Sequence, residues 1–439
     1  MKLRAITALL LLATAALMGA GDKPNAAPND GEIAIVGATA IPMTTERVLP
    51  DQTIIIRGDR IVAIGPRTTL APSRGARVID GRGMFVIPGL ADMHVHMSAE
   101  DIPLFLANGV TTVRELNGSP TTLALRDAIA HGERLGPRMI VSGPLIAGEK
   151  QRWRHVLVTN ADEAKKEVQS EVRAGYDEIK VYSGLNRASY DAIAATAIAA
   201  GKRFVGHVPE QVGLETAVLA GQATIEHADT IAAAAGHPPD PARIPQLVDL
   251  LKTHRTWFSP TLGVLSNLSV AGTPEYEKRL KSIPTDLIDP GLRGWWMSLT
   301  KPRTRPRDTA YLQFLNSYVR EAAAGGVAML FGTDCPNPLA VPGYAIHEET
   351  RALREAGLTP YAILRTTTVA PAAYLGEAGE FGVLAPGSRA DLVLLGANPL
   401  DDIQNLRQVR SIVLRGRFIS HEELEAGVAK TREAYKSPS

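Results

Sequence analysis

The fold this sequence predicts is α/β: a (β/α)8 TIM barrel with a small β-sandwich domain formed from both chain ends. Three observations predict it. Between residues 87 and 379, short apolar strands alternate with helical stretches, the pattern of a parallel sheet wrapped by helices. On either side, at 31–86 and again at 380–422, lie short strands broken by turn residues, with no helical period. The chain has 439 residues, 45% hydrophobic and 21% charged, enough for one barrel and an appended module with a large core.

The first residues stand apart from that fold. Lys2 and Arg4 precede an apolar run from Ala5 to Met18, and Gly19, Ala20 and Gly21 follow. This is the layout of a secretory signal peptide over 1–21, and the run is short for a membrane span. No cysteine stands in the cleavage zone, so a lipoprotein anchor is not expected. The expectation is an exported protein, periplasmic or extracellular, with no stable membrane anchor. Residues 22–30, rich in Pro, Asn and Ala, read as a spacer. Cys335 is the single cysteine, so no internal disulfide can form and stability must come from the core and any metal. A formal charge of +1 without blocks of like charge gives no support to a nucleic-acid partner.

In the first β region the strands are Ile33–Ile35, Thr53–Ile56, Ile61–Ile64 and Arg77–Asp80. In the second they are Ala390–Leu395, Val409–Leu414 and Phe418–Ile419, with residues 423–439 left as a C-terminal tail. The middle reads as eight strands: Ala91–His96, Thr111–Arg114, Arg138–Ser142, Glu178–Tyr182, Phe204–His207, Ala223–His227, Thr256–Pro260 and Ala328–Gly332. Helices fall at Thr121–Arg134, Ala161–Ala174, Asn186–Ala200, Gly213–Ala220 and Pro360–Leu375. The connection from Leu262 to Arg307 is long, carries Trp295 and Trp296, and is placed to act either as a lid or as a packing insertion.

Barrel active sites lie at the C-terminal ends of the strands. On a strand, residues two apart share a face, so His94 and His96 project together while Val95 turns away. Paired imidazoles at a strand end suit a divalent transition metal. Later strand ends add Lys180, His207, His227 and Asp334. The remaining histidines fall in helices or loops, and His155 alone among them is kept as a substrate-pocket candidate.

These stretches resemble the amidohydrolase superfamily, in particular its imidazolonepropionase-like branch of metal-dependent dipeptidases and amidases. The resemblance rests on Pro88-Gly89-Leu90 before the histidine pair, Gly109–Arg114, Ile179-Lys180-Val181-Tyr182 and Gly206-His207-Val208-Pro209. It continues through Ile225-Glu226-His227, Gly332-Thr333-Asp334 and Pro386–Leu392. It implies two divalent metal ions. His94, His96 and Asp334 would hold one, His207 and His227 the other, with Lys180 carboxylated by carbon dioxide to bridge them. An ammonium has no lone pair for a metal, whereas a carbamate is an anion with two oxygens. Imidazole and carboxylate donors favour zinc. The implied reaction is attack of a metal-bridging hydroxide on an amide carbonyl, with Asp334 passing the proton to the leaving nitrogen.

The expected partner is a small amide or peptide: a dipeptide, an N-acyl amino acid or a cyclic amide. A lactone or ester fits the same chemistry, and a homo-oligomer is compatible with the sequence. Tyr182 would donate to an oxyanion or a substrate carboxylate. Arg114 is placed to bind a carboxylate or to pair with Glu115, and Arg152, beside Trp153 and Arg154, to recognise an acidic or aromatic group. Cys335 reads as a packing residue. Glu210, three residues after His207, is arranged as in mononuclear deaminases of the superfamily, which lack a bridging lysine; Lys180 argues against that alternative.

Overall fold

The computed structural model describes residues 31–301 and 309–436. The expected leader and spacer, and the end of the long connection, lie outside the described residues.

The two β regions share one eight-stranded sheet. Its strands are β1 (Ile33–Ala40), β2 (Leu49–Arg57), β3 (Arg60–Pro66), β4 (Arg77–Asp80) and β5 (Phe85–Pro88), with β15 (Leu392–Leu395), β16 (Val409–Leu414) and β17 (Arg417–Ile419) from the far end. Their order is β17-β16-β15-β5-β1-β2-β3, with β4 also on β1. β5 is the junction: it runs parallel to β1 at Thr39–Phe85 and antiparallel to β15 at Val86–Leu394. Two separate sheets of a sandwich are therefore replaced by a single sheet folded over its own core. Ile35, Ile54 and Ile61 from one end share an apolar cluster with Leu392, Leu394 and Val413 from the other. Ile61 N to Ser388 O and Ala390 N to Asp59 O close the fold. The alternate residues Val393, Leu395 and Ile412 face the larger core of the middle region, as the two-residue period of a strand requires.

The middle is an α/β core of parallel strands. β6 (Leu90–Val95), β7 (Val110–Glu115) and β8 (Arg138–Val141) form one run. β9 (Leu145–Ala147), β10 (His155–Leu157), β11 (Glu178–Val181), β12 (Arg203–Gly206), β13 (Thr224–Glu226) and β14 (Trp257–Ser259) form another, in the order β10-β9-β11-β12-β13-β14. A parallel bridge between Ser142 and Glu178 joins the runs. The expected eighth strand, Ala328–Gly332, is not a regular strand. It makes a bridge at Met329 to Phe258, while Phe331 O accepts from Met93 N at 2.8 Å and Asp334 N donates to His94 O at 2.8 Å. Gly332, the positive φ of Asp334 (+56°) and Pro336 keep this segment from sustaining a ladder.

Helix Ala161–Ala174 has its expected bounds because both ends are signalled locally: Asn160 caps the Glu163 N–H, and Gly175 takes φ +86° beyond the last turn. The single helix expected over Pro360–Leu375 is two, Pro360–Thr367 and Val369–Tyr374, broken at Thr368. Pro371 has no N–H to continue the ladder across the break. The expected tail instead holds helix His421–Ala434, docked through Thr431 Oγ1 to Glu100 O (2.7 Å) and Tyr435 Oη to Asp101 (2.8 Å). Among the described residues no helix is long and apolar enough to cross a membrane.

Candidate metal centre

Six side chains meet where the parallel strands end. His94 leaves β6 and His96 follows it, Lys180 lies in β11, His207 and His227 follow β12 and β13, and Asp334 follows the irregular eighth segment. Together with Tyr182, Asn117, Leu145, Trp153, Pro336 and Asn337 they line a cavity of about 150 Å³. Asp334 Oδ1 is 3.4 Å from His94 Nε2 and 3.2 Å from His96 Nε2, and Oδ2 is 3.8 Å from His227 Nδ1. The His207 and His227 rings stack at 4.6 Å, and Tyr182 meets His207 edge-on at 4.2 Å.

Backbone conformation contributes to this convergence. His227 and Asp334 take φ of +69° and +56°, where residues other than glycine are uncommon. Each such residue costs on the order of 1–3 kcal/mol, which surrounding structure must offset.

The donor set fits divalent metal ions. Ligand atoms of His94, His227 and Asp334 all lie within 4.8 Å of one another. Lys180 Nζ, His96 Nδ1 and His207 Nδ1 are buried with no hydrogen-bond partner among the described residues. Burial pulls the Lys180 amine down to about 8, so the neutral amine is far more accessible near neutral pH than in a free lysine, although the ammonium still predominates. Burial alone would raise Asp334, but His94, His227 and His96 outweigh it and hold the carboxyl well below its usual range. His96 is raised to about 9: burial lowers it, and Asp334 and Glu115 more than compensate. Burial, then the charge of Asp334, pushes Tyr182 up to about 12, so its hydroxyl keeps its proton.

Behind the ligands is a layer that the sequence reading missed. Glu226 Oε2 accepts from His94 Nδ1 at 2.8 Å, while its Oε1 accepts from Arg114 at 2.6 Å and from Thr224 Oγ1. Glu115 lies 3.6 Å from His96 Nδ1 and is fixed by the Met97 and Asn117 N–H groups (2.6 and 2.9 Å). Thr261 Oγ1 meets His227 Nδ1 at 2.8 Å. Asp92 accepts from Thr333 Oγ1 at 2.6 Å and Thr333 N at 3.0 Å, tying the segment before Asp334 to β6. An available signal was an acid one or two positions before a candidate histidine, as in Asp92-Met93-His94 and Glu226-His227.

All three substrate candidates are placed elsewhere. Arg114 is buried in the strand interior, bonded to Glu226, Met93 O (2.6 Å) and Tyr374 Oη (3.2 Å), with Glu178 rather than Glu115 as its further acid. It is not part of the cavity lining, because these three buried acceptors satisfy its guanidinium. His155 spends both ring nitrogens on backbone, Nδ1 with Trp153 O (2.8 Å) and Nε2 with Gln151 N (3.4 Å). Arg152 is exposed and stacks over Trp295 at 4.0 Å. The long connection divides its two tryptophans. Trp296 is buried in a local core, whereas Trp295, on helix Pro290–Ser298, packs edge-on at 5.5 Å against the cavity residue Trp153. Cys335 is buried. Glu210 is exposed and outside the cavity lining.

The chain is similar to known proteins over most of its length. An imidazolonepropionase from Chloroflexus aggregans is 25% identical over 413 residues, covering 86% of this chain and 92% of that one. An adenine deaminase from Chelativorans sp. is 25% identical over 369 residues, 83% of this chain, which spans about half (54%) of that relative's length. The solved bottromycin amidohydrolase superposes with a TM-score of 0.72 at 25% identity, covering 92% of this chain and 90% of its own. A model of the amidohydrolase family matches residues 85–419, the stretch that carries all six candidate ligands. The chain belongs to the amidohydrolase family of hydrolytic enzymes, which generally use metal ions.

Proposed function

We propose that this protein is an exported enzyme that hydrolyses an amide C–N bond in a small molecule, at a binuclear centre on a closed (β/α)8 barrel. The candidates are a dipeptide, an N-acyl amino acid or a cyclic amide. The observation that carries this reading is Lys180: an amine with 1% exposure and no hydrogen-bond partner among the described residues, beside four imidazoles and a carboxylate. Burying an ammonium without an acceptor is costly. The cost is removed if the neutral amine adds its lone pair to carbon dioxide, forming an N–C bond and releasing a proton to solvent. The product would be an anion whose two oxygens can serve as metal donors beside the histidines.

His94, His96 and Asp334 would hold one divalent ion and His207 and His227 the other, zinc by donor type, with modified Lys180 between them. When bound, such ions polarise a carbonyl and make hydroxide available near neutral pH. The chain supplies the rest. Asp334 is ionised and within reach of both His94 and His96, so it can take a proton and deliver it to the leaving nitrogen. Tyr182, still protonated, has a hydroxyl hydrogen to offer to a developing oxyanion. Trp153, backed by Trp295, walls the cavity with aromatic surface.

The adenine deaminase relative supports a second reading, release of ammonia from a purine-like ring. The exposure of Glu210 favours the amide reading. The experiment is a screen of zinc-loaded protein against dipeptides, N-acyl amino acids, cyclic amides, lactones and adenine, following amine and ammonia release separately. Turnover of an amide supports the proposal, and ammonia release from adenine alone overturns it.

A further inference from the structure

The four histidines are supported unequally from behind. His94 Nδ1 bonds at 2.8 Å to Glu226, a carboxylate itself locked by Arg114 at 2.6 Å. His96 Nδ1 faces Glu115 at 3.6 Å, and two backbone N–H groups hold that carboxylate. His227 Nδ1 bonds the neutral hydroxyl of Thr261 at 2.8 Å, and the one carboxylate near it among the described residues is Asp334 at 3.8 Å, which is itself assigned to the metal rather than to backing the ring. His207 Nδ1 is buried with no partner among the described residues, and its ring is held only by stacking on His227 and an edge-on contact with Tyr182.

A carboxylate behind an imidazole fixes its tautomer, aims the other nitrogen and makes it a stronger donor. A hydroxyl does less, and an absent partner leaves the ring free to lose its aim. We infer that the two metal positions differ in affinity. The position of His94, His96 and Asp334 is the tight one and that of His207 and His227 the exchangeable one, with Glu226 as the positioning residue that sets the difference. The inference rests on the binuclear reading above.

The test is zinc titration of metal-free full-length protein against a chromophoric chelator, with melting temperature recorded for each variant. The wild type is expected to show two sites whose dissociation constants differ by at least about tenfold. Glu226→Gln should weaken the tighter site by about 10- to 100-fold and leave the weaker one unchanged. Glu115→Gln, which keeps the Arg114–Glu226 pair, should weaken the same site if Glu226→Gln fails to fold. His207→Ala should remove only the weaker site. Two equal constants, or a Glu226→Gln protein that melts lower and weakens both sites alike, would overturn the inference while leaving two metals in place. Uptake of a single ion by the wild type would instead remove the binuclear reading beneath it.

Discussion

The Arg114 guanidinium donates to Glu226 Oε1 at 2.6 Å within the core of parallel strands, and neither side chain is exposed. Glu226 also holds His94, so one buried ion pair joins the core to the candidate metal centre. Removing one member of such a pair strands the other charge. Arg114→Met should therefore destabilise the protein by about 3–5 kcal/mol, measured by urea unfolding. A loss below about 1 kcal/mol, the scale of a solvated pair, would show that water reaches Glu226.

Lys180 should behave in the opposite way. Its ammonium has no hydrogen-bond acceptor among the described residues, so a buried charge is being tolerated rather than used. In metal-free, carbon-dioxide-depleted buffer, Lys180→Met should melt at or above the wild-type temperature. With metal, Lys180→Met, Lys180→Ala and Asp334→Asn should each lose turnover by orders of magnitude while circular dichroism stays native. Near-normal rates in either Lys180→Ala or Asp334→Asn would refute the roles assigned to those residues.

Much of this was legible in the sequence because it is written over short distances. The period-two spacing of His94 and His96, the Asn160 and Gly175 signals around one helix, and the bounds of β4 and β16 all depend on neighbours within a few positions. What was missed depends on distant partners. Arg114 looked like a carboxylate receptor because Glu226, 112 positions away, is what satisfies it. His155 looked available because its backbone partners belong to a loop conformation rather than a strand or helix period. The sandwich became one sheet because the β5–β15 pairing joins residues more than 300 positions apart, which no local pattern reports.

Glu349 gives a pH dependence of its own. Burial raises its carboxyl to about 8, against the lowering effect of the Gly263 and Leu262 N–H groups at 2.6 and 3.1 Å. The folded protein then holds a proton on Glu349 between about pH 4.5 and 8 that the unfolded chain has released. The stability this group contributes is full below 4.5 and is lost as pH rises to 8. Glu349→Gln cannot titrate, so the difference between wild type and variant should drift against the wild type over that window. Parallel stability curves from pH 4.5 to 8 would show that the carboxyl titrates normally.

The glycine of Gly206-His207 gives the last prediction, because its reason is steric. Gly206 sits at φ +127°, a conformation that side chains rarely adopt. A Cβ there would overlap Val181 O and lie 2.9 Å from Lys180 Cδ. Gly332, before Thr333-Asp334, is similar: a Cβ would lie 2.7 Å from His94 Cβ and 2.6 Å from Ser259 Oγ. Both glycines therefore let neighbouring strands bring ligand side chains together, and neither touches the cavity itself. Gly206→Ala must push β11 and β12 apart or displace Lys180. Overpacking of this kind costs about 1–3 kcal/mol, and positive φ adds to it. The more telling readout is zinc stoichiometry at permissive temperature, which should fall because Lys180 has moved relative to His207. If Gly206→Ala loses stability yet binds its full complement of metal, the glycine serves strand packing alone, and close approach at Lys180 is not what places the site.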